Sequence, residues 1–268
     1  MMSPFDDHEA IEQLAREAGE IALGYFDRLA SLEVQSKGPL DLVTAADLHV
    51  ERILAARLSE IFPDDGIFGE EGRASAGTSG RLWVIDPIDG TFNFVRGRDQ
   101  WAISIGLYQD GGPEFGVVYA PLRKQLFKGG RGVPATLNGD SLPPLRPIDP
   151  ACAVTGVGFH PSIPVERRLH VLKFIMGDAA MVFFHNGSAT ISMLEMALGQ
   201  ADGYIGLGEM SWDVMGALPI LERLGARTTL DWSRIPLSGS LELACGTAEF
   251  LRLVEPLMLG TWDVHCLA

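Results

Sequence analysis

No stretch of the 268-residue chain approaches the roughly 20 continuous apolar residues that a membrane span requires. Cysteine is scarce: Cys152, Cys245 and Cys266 are odd in number and widely spaced. They form neither a disulfide framework nor a zinc-site spacing, and imply reduced thiols in a cytoplasmic protein. The opening MMSPFDDHEA has no basic start and no apolar run, so no signal peptide is expected. Cations are outnumbered, with 21 Lys and Arg against 35 Asp and Glu, for a formal net charge of −14. That balance argues against direct nucleic-acid binding, which needs clustered cations to neutralise phosphates. No Gly-rich dinucleotide fingerprint follows the first strand, and no phosphate loop ends in Gly-Lys-Ser/Thr. Internal repeats and low-complexity tracts are missing too.

What is present is apolar material, 47% of residues, enough for a core without metal or disulfide staples. The acidic surplus either serves solubility or gathers in places to hold cations.

Apolar residues at Ile11, Leu14, Ala18, Ile21, Ala22 and Tyr25 have helical spacing and predict a helix over His8–Leu29. Leu32–Lys37 reads as a short strand. A second helix follows from Thr44, where Thr44 and Asp47 have capping-box spacing and Pro63 marks the stop. The segments 66–71, 82–86, 101–109, 114–121 and 124–130 read as strands, with Gly111-Gly112 as a hairpin turn. Proline-rich Leu142–Pro150 reads as a linker dividing an N-terminal α+β lobe, 1–148, from a C-terminal α/β lobe, 149–268. The second half alternates: helix Val165–Met176, strand Met181–Phe184, helix Ser188–Leu198, strand Gly203–Leu207, helix Val214–Leu224, two strands, then helix Ala248–Leu257. Gly199 and Gly225 are placed as C-terminal caps. The order predicts a layered α/β protein with two sheets, not a Rossmann fold.

The chemistry concentrates in acidic motifs. In WVIDPIDGT, an apolar strand ends in Asp86-Pro87-Ile88-Asp89, where Pro87 interrupts the ladder. The two carboxylates and the Ile88 carbonyl are the hard oxygen ligands that Mg²⁺ or Ca²⁺ takes. The Gly90 and Thr91 amides could face an anion if a helix starts there. Gly69-Glu70-Glu71, Trp212-Asp213 and the Lys37–Asp47 segment are each ordinary alone: a solvated face, a helix cap, a turn with a capped helix. In the last, an Asp could also orient a Thr hydroxyl that orients water.

Taken in order, Gly69-Glu70-Glu71, Asp86–Thr91 and Trp212-Asp213, with Lys37, Asp41–Thr44 and Asp47 upstream, resemble the inositol monophosphatase family. The resemblance runs from about Ile11 to Leu257. It implies a five-layer α-β-α-β-α sandwich, a homodimer, and hydrolysis of a small phosphomonoester with two or three Mg²⁺ ions, inhibited by Li⁺. It implies Glu70, Asp86, Asp89, Asp213 and the Ile88 carbonyl as metal ligands. Thr91, supported by Asp47, would orient the attacking water, and Glu70 would share its proton. The Gly90 and Thr91 amides, with Asp89, would meet phosphate. Gly187, Ser188 and Ala189 would lie near substrate hydroxyls, and Lys37 near the metals. Such chemistry suits a phosphate dianion, which repels both hydroxide and carboxylates until cations intervene.

The substrate side departs from the family pattern. Gly206 stands where members acting on inositol phosphates carry Glu, seven residues before Asp213, and Glu209 could replace it only if the local geometry shifted. His185 and Asn186 stand where many bacterial members carry an arginine, and Ser192 where many carry Asp or Asn. His185 is expected to be structural or at the surface. Phe92 is expected to fill core space, with a narrowed pocket as the other reading. The favoured substrate is inositol monophosphate. The alternatives are histidinol phosphate, a sugar phosphate, a nucleotide 3′-phosphate, and an added accessory role in RNA metabolism.

Overall fold

The computed structural model describes residues 4–38, 41–72 and 74–258; the side chains of Lys37 and Asp41, and all of Cys266, lie outside the described residues. The first half opens with α1 (Pro4–Phe26), the hairpin β1 (Val34–Gly38) and β2 (Asp41–Thr44), and α2 (Ala45–Ile61). Next come β3 (Gly66–Gly69), β4 (Ala74–Ser75), β5 (Leu82–Asp89) and the short α3 (Thr91–Val95). A meander follows: β6 (Ala102–Gln109), β7 (Gly112–Ala120), β8 (Gln125–Gly130), β9 (Val133–Leu137) and β10 (Asp140–Ser141). The second half runs β11 (Val154–Phe159), α4 (Val165–Met176), β12 (Val182–Phe184), α5 (Ala189–Leu194) and β13 (Gly203–Glu209). It ends with α6 (Ser211–Met215), α7 (Leu218–Arg223), β14 (Arg227–Thr228), β15 (Leu241–Gly246) and α8 (Ala248–Met258).

Side-chain alternation sorts these elements into layers. In the eight-stranded sheet, ordered β10-β9-β8-β7-β6-β5-β3-β4, Trp83, Ile85, Ile103, Ile105, Val117 and Tyr119 face α1 and α2. Val84, Ala102, Val118 and Ala120 point the other way, into a core shared with α5, α6 and α7. The five-stranded sheet, ordered β12-β11-β13-β15-β14, closes that core with Tyr204, Leu243 and Cys245. It packs Val157, Ile205, Leu207 and Ala244 outward against α4 and α8. The result is the α-β-α-β-α order. Full burial of one such Val, Leu or Ile stabilises by roughly 1.5–3 kcal/mol.

Several boundaries differ from the sequence reading. The first helix ends at Phe26 and gives way to a short 3₁₀ turn at Leu29–Ser31. The segment read as a turn before α2 is strand β2, held by β1. The hairpin turn is Asp110-Gly111, both at positive φ (51° and 85°), while Gly112 already belongs to β7. Strands β9 and β10 were not foreseen. The helix expected over Ser188–Leu198 is shorter, with Ser188 as its N-cap. The helix expected over Val214–Leu224 is two helices, broken at Gly216-Ala217 before Pro219. Gly199 and Gly225 do close their segments at positive φ, 69° and 100°.

Candidate active site

A regular strand would point Asp86 and Asp89 to opposite faces, because their separation is odd. The pairing of β5 with β6 solves this. Asp86 lies opposite Ser104 and Asp89 opposite Ala102, so three steps on β5 match two on β6. Pro87 has no N–H to keep the ladder regular, and the bulge re-aims the end of the strand. Both aspartates are buried, and Asp86 accepts the Ile88 N–H at 3.0 Å.

Asp213 reaches them from far along the chain. It is the third residue of α6 and accepts the Met210 N–H at 2.6 Å, the side-chain half of a capping box. Helix α6 can lie against the eight-stranded sheet because Gly116 faces the Gly216 carbonyl, where no Cβ would fit. Among the described residues, Asp86, Asp89 and Asp213 each place a carboxylate oxygen within 4.8 Å of the other two.

Burial raises the Asp86 carboxyl well above the usual range, and repulsion by Glu70, Asp89 and Asp213 adds to it. Burial likewise raises Asp213, with Glu209 and Asp89 next in effect. Asp89 is raised by burial, against hydrogen bonds from Ser188 and Thr190. Glu70 adjoins Asp86 closely enough to share a hydrogen bond. No lysine or arginine among the described residues pairs with Asp86, Asp89 or Asp213. Converging carboxylate oxygens that no described lysine or arginine neutralises form a donor set that fits a small hard divalent ion.

Beside this cluster, Thr91 Oγ1 lies 3.1 Å from Asp47 Oδ1 and 3.2 Å from the Ile88 carbonyl. Asp47 is doubly employed. Its Oδ2 accepts the Thr44 N–H at 2.9 Å and the Thr44 hydroxyl at 2.5 Å, while Thr44 caps α2. The cap and the Thr91 contact therefore use different oxygens of one carboxylate.

The Gly187–Ala189 loop bonds to the same cluster. Ser188 Oγ donates to Asp89 Oδ2 at 2.5 Å, and the Thr190 N–H reaches the same oxygen at 2.8 Å. Ala189 is buried with its amide toward Asp89. Asn93 ties the loop to the first half, donating to the carbonyls of Gln100 and Asn186 at 2.7 Å each. Gly90, at φ 98°, has no room for a Cβ against the Gln100 carbonyl, 2.6 Å away.

The profile of the Inositol monophosphatase family matches residues 6–250. The chain belongs to the inositol monophosphatase family. That places it among the phosphoric monoester hydrolases. It is 34% identical to the Nus factor SuhB of Xylella fastidiosa over 217 residues, covering 79% of this chain and 77% of the relative. It is also 34% identical to inositol monophosphatase 1 of Sus scrofa over 222 residues, covering 79% of each. The crystal structure of extragenic suppressor protein suhB from Bartonella henselae superimposes with a TM-score of 0.85 at 25% identity, over 94% of this chain and 98% of that one.

Two of the departures from the inositol monophosphatase pattern, Phe92 and His185, line a cavity of about 700 Å³ that also takes in Glu70 and Asp213. Gly208, at φ 89°, places a bulge in β13 between Leu207 and Glu209. The bulge supplies the shift that the sequence alone did not show. It folds Glu209 back so that its Cγ lies 2.7 Å from where a Cβ on residue 206 would stand. Glu209 thus occupies the space above Gly206. It accepts the Tyr204 hydroxyl at 2.6 Å. Burial lifts its carboxyl to about 7, against the bond from Tyr204.

Contrary to expectation, Phe92 does not fill the core. It is 38% exposed at the cavity, with the Arg96 guanidinium 5.4 Å from its ring. Helix α3 turns its neighbours Asn93 and Phe94 inward instead. His185 is exposed, as expected. It lines the cavity near the Phe159 ring, and partial burial lowers its pKa. Ser192 is buried and donates to the Ser188 carbonyl at 2.6 Å.

Three contributors escaped the sequence reading. Glu51 on α2 is buried and accepts the Glu71 N–H at 2.7 Å, which steadies the Glu70 turn. The signal was there: Glu51 falls on the buried stripe of Asp47, Val50, Leu54 and Leu58. Tyr204 and Asn93 gave none, since an aromatic in a strand and an Asn in a turn are commonplace.

Proposed function

We propose that this chain hydrolyses a small phosphomonoester, inositol monophosphate foremost, with Mg²⁺ held by Asp86, Asp89 and Asp213, joined by Glu70 and the Ile88 carbonyl. The observation that carries the reading is the meeting of two buried carboxylates on β5 with the partly buried Asp213 of α6, none of them paired with a lysine or arginine among the described residues.

When bound, Mg²⁺ supplies charge neutralisation for the phosphate and acidifies a water molecule. The chain's own groups do the rest. Thr91, donating its proton to Asp47, keeps lone pairs free to accept from a water and so to aim it. Glu70 is the proposed proton acceptor. Ser188 and Thr190 hold Asp89 in one orientation. The Gly90 and Thr91 amides are the proposed phosphate contacts. The Tyr204–Glu209 pair stands where a polyol's hydroxyls would be read, and Glu209 offers the carboxylate that Gly206 lacks. Gly187 and Ser188 line the same cavity. Lys37 is proposed to balance charge nearby.

The resemblance also supports a homodimer. Val165, Leu169 and Met176 on α4, with Val182 and Phe183 on the edge strand β12, form an exposed apolar face. Such an edge invites pairing when left open. Leu169→Lys with Val182→Glu is expected to yield monomers in sedimentation.

The deciding experiment offers the purified protein a panel of phosphomonoesters with and without Mg²⁺. Phosphate release that requires the ion supports the proposal. Silence across the whole panel would remove it.

A further inference from the structure

The cavity beyond the carboxylates is much larger than a phosphate needs. At about 700 Å³, it has the size of a complete small-molecule site. Its character changes along the lining. Asp213 and Glu70 mark the carboxylate end. Phe92, Phe159, His185 and Trp212 offer flat walls. Partial burial lowers the pKa of the His185 imidazole. Past Gly208, which abuts His160, the lining includes Arg168 from the first turns of α4.

Among the described residues, Arg168 is the single lysine or arginine in that lining. It is half-buried, and its Nε is fully covered with no acceptor. It forms no ion pair among the described residues, whereas its neighbour Arg167 bonds Glu242 at 2.9 Å. The chain has 35 acidic residues to 21 basic ones, yet among the described residues none pairs with this arginine. The terminal nitrogens are not covered and have no partner among the described residues, so they are the donors that an anion in the cavity can reach.

We infer that Arg168 receives a second oxyanion, a carboxylate or another phosphate, carried on the alcohol that leaves. The inference rests on the phosphatase reading of the same site and replaces inositol monophosphate, whose leaving alcohol is uncharged, with a doubly anionic substrate. The planar guanidinium matches either oxyanion with two parallel bonds, and the aromatic walls hold the carbon frame between the two ends. The chemistry is unchanged. Water adds to phosphorus, the phosphorus–oxygen ester bond breaks, the alcohol oxygen takes a proton, and the second oxyanion departs with the alcohol. Arg168 determines specificity and takes no part in bond breaking.

The test uses the full chain with Mg²⁺ and matched substrates. Glycerol 2-phosphate and 2-phosphoglycerate differ by one carboxylate. Fructose 1-phosphate and fructose 1,6-bisphosphate differ by one phosphate. Wild type is expected to favour the doubly anionic member of at least one pair, and which pair identifies the oxyanion. Arg168→Gln is expected to raise KM for that member about tenfold, the equivalent of about 1.4 kcal/mol. It should leave kcat, and both constants for the singly anionic member, unchanged; Arg168→Lys should recover part of the loss. Equal KM values within both pairs, or a preference that survives Arg168→Gln, would overturn the inference while leaving the phosphatase reading intact. If wild type releases phosphate from none of the four yet hydrolyses inositol monophosphate, this inference falls alone; silence on inositol monophosphate and the wider panel as well removes the phosphatase reading with it.

Discussion

Thr91 Oγ1 stands 3.1 Å from Asp47 Oδ1, although 44 positions separate them in the chain. The contact joins the N-terminus of α2 to the start of α3, just past β5, and the other oxygen of Asp47 caps α2. Capping and water orientation should therefore separate on mutation. Thr91→Val is expected to lower kcat by about 10²–10³, the range for a positioned proton-transfer group, with the melting temperature nearly unchanged. Asp47→Asn should lose activity and also about 1 kcal/mol of stability through the weakened cap. Equal thermal shifts in the two variants would count against this division.

The carboxylate cluster should respond to Mg²⁺ as a unit. At a concentration about one hundred times its dissociation constant, the ion is expected to stabilise the fold by about 2.7 kcal/mol. Asp89→Asn and Asp213→Asn should abolish that gain and the activity while keeping the native circular dichroism. Calorimetric titration reads the loss directly. Undiminished Mg²⁺ binding by either variant would place the metal elsewhere.

Without metal, the same carboxylates should make stability fall as pH rises. Asp86, Asp89 and Asp213 are all raised above the ordinary value of 3.8. A raised carboxyl pKa means the folded state holds its proton more tightly than the unfolded chain does. The stabilisation is complete below the unfolded value and is lost as pH climbs through the folded one. In the presence of a chelator, Asp213→Asn should gain melting temperature relative to wild type as pH rises from about 4 to about 8. A difference that stays flat across this window would refute the repulsion argument.

Glu209 occupies the space above Gly206, its Cγ 2.7 Å from where a Cβ on that residue would stand. Gly206→Glu should therefore cost about 1–3 kcal/mol by overpacking. Glu209→Ala in the same chain should relieve most of it, because the two side chains contend for one place. Glu209→Gln alone should raise KM for inositol monophosphate more than it lowers kcat. Additive melting shifts in the double variant would show that the two positions do not compete.

Much was legible along the chain. Apolar, β-prone runs marked the strands around Trp83, Ile103 and Val117, and helical spacing marked α1, because burial demands such patterns wherever the packing falls. Thr44 and Asp47 announced their capping box, and Gly199 and Gly225 their turns, since these are contacts between near neighbours. The acidic motifs named the residues that gather, and resemblance to a family supplied their order.

The sequence by itself determined the layered α/β architecture and the identity of the carboxylates. Only the tertiary structure decided how they meet. The bulge at Pro87 turns Asp86 and Asp89 to one side, and the glycine contact between Gly116 and Gly216 lets α6 bring Asp213 in. It also moved Phe92 from the core to the cavity wall and set Glu209 over Gly206. The reason is physical: local patterns report which face of an element is buried, whereas a one-residue change of register or a missing Cβ acts between elements distant in the chain.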